Sequence, residues 1–278
     1  MRARKLKNIF MTFIISLATG ICLLPLFLVL YYLFKNGISS LNIEFFLNNP
    51  KPIGEVGGGM ANAIVGSLIV IGLSSLIGIP SGLIIGIFLG EFGNSKLASI
   101  VRLLAEVLQG LPSIVIGIIA YSWIVKQMGH FSALAGSIAL SFMMIPIIAR
   151  STEEVLILVP NTLKEASLAL GAPRWRTMIY VTLRTSLGGV IGGILSGIAR
   201  ISGETAPLLF TAFGNRFFST NILKPISTLT LQIFEYARSP YDELHRQAWA
   251  GAIVLVFIVF LVSLLSKIIV KKLEKGVR

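Results

Sequence analysis

The feature that most constrains this chain is a set of six apolar stretches that contain no Asp, Glu, Lys or Arg. They cover residues 9–34, 56–90, 107–125, 131–149, 185–199 and 248–266. A helix needs about 20 apolar residues to cross the hydrocarbon core of a bilayer. Backbone polar groups in lipid must be paired internally, and a helix pairs them within one segment. The sequence therefore predicts an all-α integral membrane protein with six transmembrane helices.

The composition agrees with a membrane protein and argues against a nucleic-acid-binding domain. Charged residues make up 13% of the 278 residues, compared with about 25% in soluble domains. The net charge of +12 comes from Lys and Arg that flank the apolar stretches, so no nucleic-acid partner is expected. One cysteine, Cys22, and two distant histidines, His130 and His245, leave no set of residues for a disulfide framework or a Cys/His metal site.

The distribution of basic residues predicts the orientation of the spans. Six spans place both termini on one side, and cytoplasmic segments are enriched in Lys and Arg. With the termini inside, 16 of the 24 Lys and Arg residues are cytoplasmic. The run at 9–34 is too long for a signal peptide and lacks its cleavage site. We expect a multi-pass protein of the cytoplasmic (inner) membrane with cytoplasmic N- and C-termini.

The cytoplasmic loop at residues 150–184 carries signals for a short helix. Thr162 and Glu165 have the spacing of a capping box, in which each side chain satisfies a backbone donor at the helix start. Gly171 suits the left-handed conformation that ends a helix, and Pro173 suits the start of the next one. The pattern predicts a helix of about two turns, a sharp turn, and a second helix that runs into the membrane.

The predicted short helix presents more apolar surface than a free loop normally shows. Its exposed apolar residues are Leu163, Leu168 and Leu170. An apolar helix of this kind suits insertion into a groove of a partner protein. It also suits a helix that lies flat on the lipid headgroups, and these residues alone do not separate the two interpretations.

The same loop resembles the EAA loop of type I ABC importer permeases. Glu165-Ala166-Ser167 is followed by Gly171 after three residues and by Val181-Thr182-Leu183 after nine more. In that family the short helix is the coupling helix, which docks into a cleft on the ATP-binding subunit. The resemblance assigns this coupling role to Glu165, Ala166, Gly171, Leu163 and Leu168. Arg184 replaces the usual proline, so we expect a weaker kink where the second helix enters the membrane.

The chain contains no G-x-x-x-x-G-K-[ST] phosphate-binding loop, and its spans carry no G-x-S-x-G nucleophile motif. We therefore expect a transport subunit without catalytic residues, metal or cofactor of its own. ATP and Mg²⁺ would be used by a separate ATPase subunit.

A charged pair at the end of the fifth span is the main candidate for contact with a substrate. Arg200 and Glu204 lie four residues apart, on one helical face, and a charge at bilayer depth costs about 2.5–3.5 kcal/mol. Three interpretations remain open: a structural ion pair, two side chains that reach interfacial water, and an anion-handling site. Arginine suits phosphate because its planar fork donates two parallel hydrogen bonds, and a carboxylate beside it could accept the proton of hydrogen phosphate.

Three motifs narrow the resemblance to one branch of these permeases. They are GETAPLLFTAFGN at residues 203–215, LPSIVIG at 111–117 and GGMANA at 58–63. They look like signatures of the phosphate permease A subunit (PstA), in which a membrane-embedded arginine and an Arg-x-x-Glu pair after the fourth span are implicated in transport. The resemblance places Arg200, Arg150 and Glu153, together with Glu204, in the substrate pathway. Arg150 also lies where a topological anchor would be expected.

The resemblance implies a type I ABC importer permease fold with a cytoplasmic coupling helix, acting in phosphate import by alternating access. Its implied partners are a C-type permease subunit in a pseudo-two-fold heterodimer, a dimer of ATP-binding subunits, an extracytoplasmic phosphate-binding protein and the lipid bilayer. Residues 1–55 would form the N-terminal tail, first span and external segment, 56–270 the permease domain, and 271–278 a cytoplasmic tail. A type I permease for molybdate, sulfate or an amino acid is an alternative, as is an ion-coupled secondary transporter.

Two further features leave alternatives open. Gly189, Gly193 and Gly197 allow close helix approach, either within this chain or against a second permease subunit. The external stretch at 204–247 is only partly polar, which suggests a re-entrant or interfacial portion.

Overall fold

The computed structural model describes residues 2–55 and 57–275, which are almost entirely helical. The helices are α1 (Arg2–Gly37), α2 (Ile43–Leu47), α3 (Ala61–Glu91), α4 (Lys96–Gly110), α5 (Ser113–Ala120), α6 (Lys126–Met128), α7 (Ala133–Ile157), α8 (Asn161–Ala169), α9 (Arg174–Arg176), α10 (Leu187–Ser202), α11 (Ala206–Thr211), α12 (Leu229–Ala237) and α13 (Asp242–Lys275). Val56, where the second predicted span begins, and residues 276–278 of the predicted tail lie outside the described residues.

The helices supply the six spans that the sequence predicts. Four of them, α1, α3, α7 and α13, are long and apolar enough to cross a membrane on their own. Two bent pairs pass the same test together: α4 with α5 and α6, and the segment 174–183 with α10. The count is six when each bent pair forms one span.

The third span differs from its prediction because a proline interrupts it. The continuous span expected at 107–125 is instead broken after Gly110, and the two halves are bent by 105°. Leu111 has an extended ψ of 136°, the conformation that a following proline favours. Pro112 then precedes the first residue of α5. Three other prolines lie inside α1, α3 and α7, which continue through them.

The fifth span is also bent, so the expectation of a weaker kink at Arg184 is wrong. The segment 174–183 and α10 differ in direction by 76°. Residues Thr177–Leu183 form a π-helical turn, and the Ser186 hydroxyl donates to the Thr182 carbonyl at 2.9 Å. A π-bulge and a side chain bonded into the backbone ladder both bend helices, so the bend does not require proline.

The centre of the bundle is the contact between α3 and α7. Four α3 glycines, spaced by four residues, face four larger α7 residues. The pairs are Gly78 with Met144, Gly82 with Ile148, Gly86 with Thr152 and Gly90 with Leu156. A Cβ atom on Gly86 would lie 2.5 Å from the Thr152 Cβ atom, so a larger residue there requires the helices to separate. The constant offset shows that α3 and α7 run parallel.

The glycines of α10 pack inside the chain, which decides between the two interpretations left open by the sequence. A Cβ atom on Gly189 would meet Val155, and one on Gly193 would lie 2.4 Å from the Ser151 hydroxyl oxygen. Gly197 faces Met144 and Ile148 of α7 in the same way. The reversed order of these contacts shows that α10 runs antiparallel to α7.

The stretch 204–247 folds onto one end of this bundle through two short helices. α11 packs against α5 and α7: a Cβ atom on Gly117 would lie 2.7 Å from the Pro207 Cα atom, and Leu208 is buried. α12 packs against α13 and α3, and the Leu229 backbone N–H donates to the Ser67 hydroxyl at 2.7 Å. Side chains such as Phe217 remain exposed.

We predict that Gly86→Ala destabilises the protein and that Gly72→Ala, in the same helix, does not. The added methyl at position 86 overpacks the contact with Thr152, which costs about 1–3 kcal/mol. Nothing lies within 4 Å of a Cβ atom on Gly72, and alanine favours the helix. The thermal unfolding midpoints of both variants in detergent check this. Equal midpoints would contradict the packing described for α3.

Candidate substrate pathway and coupling helix

A buried glutamate near the end of α7 is paired with two arginines. The Glu153 side chain is 2% exposed. Its Oε1 atom accepts hydrogen bonds from Arg102 Nε at 2.9 Å and Arg102 Nη2 at 2.6 Å. Its Oε2 atom accepts one from Arg150 Nη1 at 2.6 Å. Both carboxylate oxygens are therefore paired, which compensates the desolvation of the buried charge.

Arg150 and Glu153, which the resemblance places in the substrate pathway, contact each other, and Arg102 is a further partner that no sequence pattern indicated. Arg102 lies on α4, 51 residues from Glu153 in the chain, so no local spacing reveals the contact. Glu106, one turn further along α4, lies 3.7 Å from Arg150 Nη2. The four side chains join α4 to α7. Gln109 adds a second tie by donating to the Pro146 carbonyl at 3.0 Å.

The second charged pair is more open. Arg200 Nε lies 3.4 Å from Glu204 Oε1, and the two side chains are 57% and 15% exposed. Among the described residues, the Arg200 side chain makes no hydrogen bond. The Glu204 backbone is held in place, because its carbonyl accepts a hydrogen bond from the Thr230 hydroxyl at 3.0 Å. The guanidinium donors of Arg200 are thus available to an anion, with a carboxylate beside them.

The packing register separates the two charged pairs. Because α10 runs antiparallel to α7, with Gly193 against Ser151 and Gly189 against Val155, Arg200 is level with Met144. That position is near the midpoint of α7 and about 13 Å along the helix axis from Glu153. The structure therefore does not bring the four predicted pathway residues together at one place.

A line of small residues on α10 leads to Arg200. Gly188, Gly192 and Ser196 precede it at four-residue spacing, on a face next to the one that packs on α7. Nothing lies within 4 Å of a Cβ atom on Gly192, and Ser196 is exposed. Gly192, Ser196 and Arg200 are thus exposed along one face of α10.

The predicted coupling helix is present as α8. Leu163 and Leu168 are 44% and 41% exposed, and Leu170 is 90% exposed; Glu165 and Ala166 are exposed as well. Gly171 has the expected left-handed φ of +81°.

The predicted capping box is wrong. The residue before α8 is Pro160, and no side chain caps the helix. Thr162 is the second residue of α8 instead of its cap, because the helix begins directly after the proline, where a missing N–H costs nothing.

Two contacts fix α8 to the bundle. The Ser167 and Thr177 hydroxyl oxygens are 2.9 Å apart and share a hydrogen bond, which joins α8 to the π-helical turn before α10. Lys164 Nζ lies 3.9 Å from Glu91 Oε2 at the end of α3. α8 is therefore held against the bent fifth span and against α3, while its leucines face outward.

These features define a class of protein: a multi-span helical membrane protein with a short exposed helix held at one end of its bundle. Solved structures share the fold. A MetNI methionine ABC transporter matches with a TM-score of 0.66 at 21% identity, covering 77% of this chain and 95% of that chain. A bacterial alginate ABC transporter matches with a TM-score of 0.69 at 13% identity, covering 95% and 94%. At this identity the likeness establishes the fold.

The chain belongs to the family of binding-protein-dependent transport system inner membrane components, whose family model matches residues 82–278. It is 43% identical over 263 residues to the phosphate transport system permease protein PstA of Yersinia pestis, covering 93% of this chain and 88% of that protein. The corresponding protein of Pasteurella multocida is 42% identical over 266 residues, 95% of both chains. The membership confirms the predicted type I permease fold and excludes the ion-coupled secondary transporter.

We predict that Glu153→Gln lowers stability while Glu154→Gln leaves it unchanged. The first substitution leaves Arg102 and Arg150 without their buried counter-charge, and breaking a buried pair in this way costs about 3 kcal/mol. The second removes the same charge from an exposed neighbour. Thermal unfolding in detergent compares them. A Glu153→Gln variant as stable as the parent would show that the network contributes nothing to the fold.

Proposed function

We propose that this chain is the membrane-spanning permease subunit of an ATP-driven, binding-protein-dependent importer of inorganic phosphate. The single observation that carries the proposal is the exposed side chain of Arg200, which is level with the middle of α7. It lies in a chain whose relatives along nearly its full length are named phosphate permeases. Relatives across the chain favour phosphate over molybdate, sulfate or an amino acid. The chain acts in transport and not as an enzyme.

Arg200 is the residue that meets the substrate in this proposal. A guanidinium that is 57% exposed pays little desolvation to accept an oxyanion and donates in a planar fork. Glu204 keeps the guanidinium in place through its fixed backbone, and its carboxylate accepts the proton of hydrogen phosphate. The face of α10 that carries Gly188, Gly192 and Ser196 provides the approach to Arg200, between this subunit and a C-type permease partner.

Arg150 and Glu153 are placed at the other end of the same pathway. Arg102 and Arg150 are both paired with Glu153, so an oxyanion reaches Arg150 only when the Arg150–Glu153 pair separates. We propose that the network of Arg102, Arg150 and Glu153 closes this end of the pathway in the conformation described, and that alternating access breaks it.

The remaining assignments follow from the same proposal. α8 docks through Glu165, Ala166, Leu163, Leu168 and Gly171 onto one of two ATP-binding subunits, which bind ATP and Mg²⁺. An extracytoplasmic phosphate-binding protein delivers the substrate on the opposite face. The termini are cytoplasmic, in keeping with the excess of Lys and Arg on that side. The permease domain spans residues 56–270, between the N-terminal region 1–55 and the tail 271–278.

Arg200→Gln is expected to lower phosphate uptake at least tenfold, because the variant loses a charged hydrogen-bond donor to phosphate, an interaction of about 1.5–3 kcal/mol. Arg216→Gln serves as the matched control, because Arg216 is 76% exposed and paired with Glu235 away from α10. Uptake of radiolabelled phosphate by the assembled, reconstituted transporter is the measurement. Uptake at the parent rate in Arg200→Gln would contradict the role of Arg200 in binding phosphate.

The double variant Leu163→Asp and Leu168→Asp is expected to lose the ATP-binding subunits during purification, since two charges enter an apolar contact. Leu158→Asp, at a leucine outside α8 that is 79% exposed, is the control. Co-purification with the affinity-tagged permease measures the ratio of ATP-binding subunits to permease. Full retention in the double variant would instead favour a helix that lies on the headgroups.

A further inference from the structure

Two cavities flank the start of α13: one lies against the end of α1 and the other lies against α12. One is polar, has a volume of about 320 Å³ and is lined by Lys35, Asn36 and Arg246 among others. The other is apolar, has a volume of about 340 Å³ and is lined mainly by Ile233, Ala248 and Ala252. His245 and Trp249 line both cavities. The polar and the apolar space therefore border each other at these two side chains.

The polar cavity carries a positive charge. Lys35 and Arg246 contribute two cations, and Asp242 is the acidic residue that also lines it. The Asp242 side chain is 92% exposed, and it lies 4.0 Å from His245 Nδ1. His245 is held in place because its Nε2 atom lies 2.6 Å from the Ser239 carbonyl oxygen. Two cations and one carboxylate give the lining a net positive charge, which attracts anions.

The walls of this site are fixed at the border of the membrane. A Cβ atom on Gly37 would lie 2.8 Å from the Trp249 backbone, so α1 and α13 touch at their backbones there. Both helix ends lie on the side opposite the chain termini. Tryptophan and basic residues next to the ends of apolar helices are typical of the headgroup level of a bilayer. The polar cavity thus has the residue types of the headgroup level, and the apolar cavity extends about one helical turn further along α13.

We propose that the two cavities together bind one anionic phospholipid. The phosphate group is recognised by Lys35 and Arg246, and an acyl chain lies along Ala248 and Ala252 beneath Trp249. Basic pockets between transmembrane helices bind lipid headgroups in this way, and each volume lies within the range of small-molecule sites. With the termini in the cytoplasm, the lipid belongs to the extracytoplasmic leaflet.

The site is separate from the proposed substrate pathway, because neither α10 nor the Arg150–Glu153 pair contributes to it. Free inorganic phosphate shares the oxyanion chemistry of the headgroup. The apolar cavity distinguishes the two ligands, because a lipid fills both cavities whereas free phosphate fills only the polar one.

The test uses the assembled transporter in neutral detergent and native mass spectrometry with added phosphatidylglycerol. The double variant Lys35→Gln and Arg246→Gln is expected to weaken retention of one phosphatidylglycerol per complex, by about fivefold for each cation removed. Ala252→Phe keeps both cations but fills the apolar cavity, and it is expected to weaken retention of the same lipid. Retention of phosphatidylcholine should not change. The control Lys224→Gln removes an exposed cation elsewhere on the same side and should have no effect.

Each contrary result overturns a stated part of the proposal. An equal loss in Lys224→Gln would mean that lipid retention follows net charge and not this site. Unchanged retention in the double variant would remove the headgroup assignment. Displacement of the lipid by millimolar inorganic phosphate, with Ala252→Phe behaving like the parent, would identify the cavity as a site for free oxyanion and exclude the acyl chain.

Discussion

The close packing of α3 against α7 sets the positions of both charged pairs in this protein. Lipid offers no hydrophobic drive for helices to associate, so close packing of small against large residues supplies much of it. Gly78, Gly82, Gly86 and Gly90 allow the backbones to meet at one register. α7 then presents its other side to the glycines of α10. Through these two contacts one helix fixes both the depth of Glu153 and the level of Arg200.

The two charged clusters differ in what their surroundings permit. Glu153 is buried and saturated by two arginines, so any new partner must first break strong charge-assisted hydrogen bonds. Arg200 has one carboxylate at 3.4 Å and more than half of its surface exposed. A low cost of binding and release suits a passing ion, whereas a saturated network suits a contact that is either made or broken. The proposed pathway has one site of each kind: the exposed Arg200 and the saturated network around Glu153.

Local patterns predicted most of the fold, and contacts distant in sequence account for what they missed. Apolar runs and the EAA-like loop are local, so six spans and α8 followed from sequence. The break at Pro112 was missed because apolarity continues across it, although proline disfavours helix in the residue before it. The capping box failed because Pro160 competes as a helix start. Arg102 could not be assigned to Glu153, since spacing within one helix says nothing about which neighbour packs beside it.

Two contacts connect α8 to the helices that pack on α7. Its tie through Ser167 and Thr177 leads into the π-helical turn before α10, and its tie through Lys164 and Glu91 leads to the end of α3. α3 and α10 pack on the same helix, α7, which carries Arg150 and Glu153. π-helical turns within α-helices are frequent at functional sites. Under the proposed function, a movement of α8 is expected to reach α10, with Arg200, through the contact between Ser167 and Thr177.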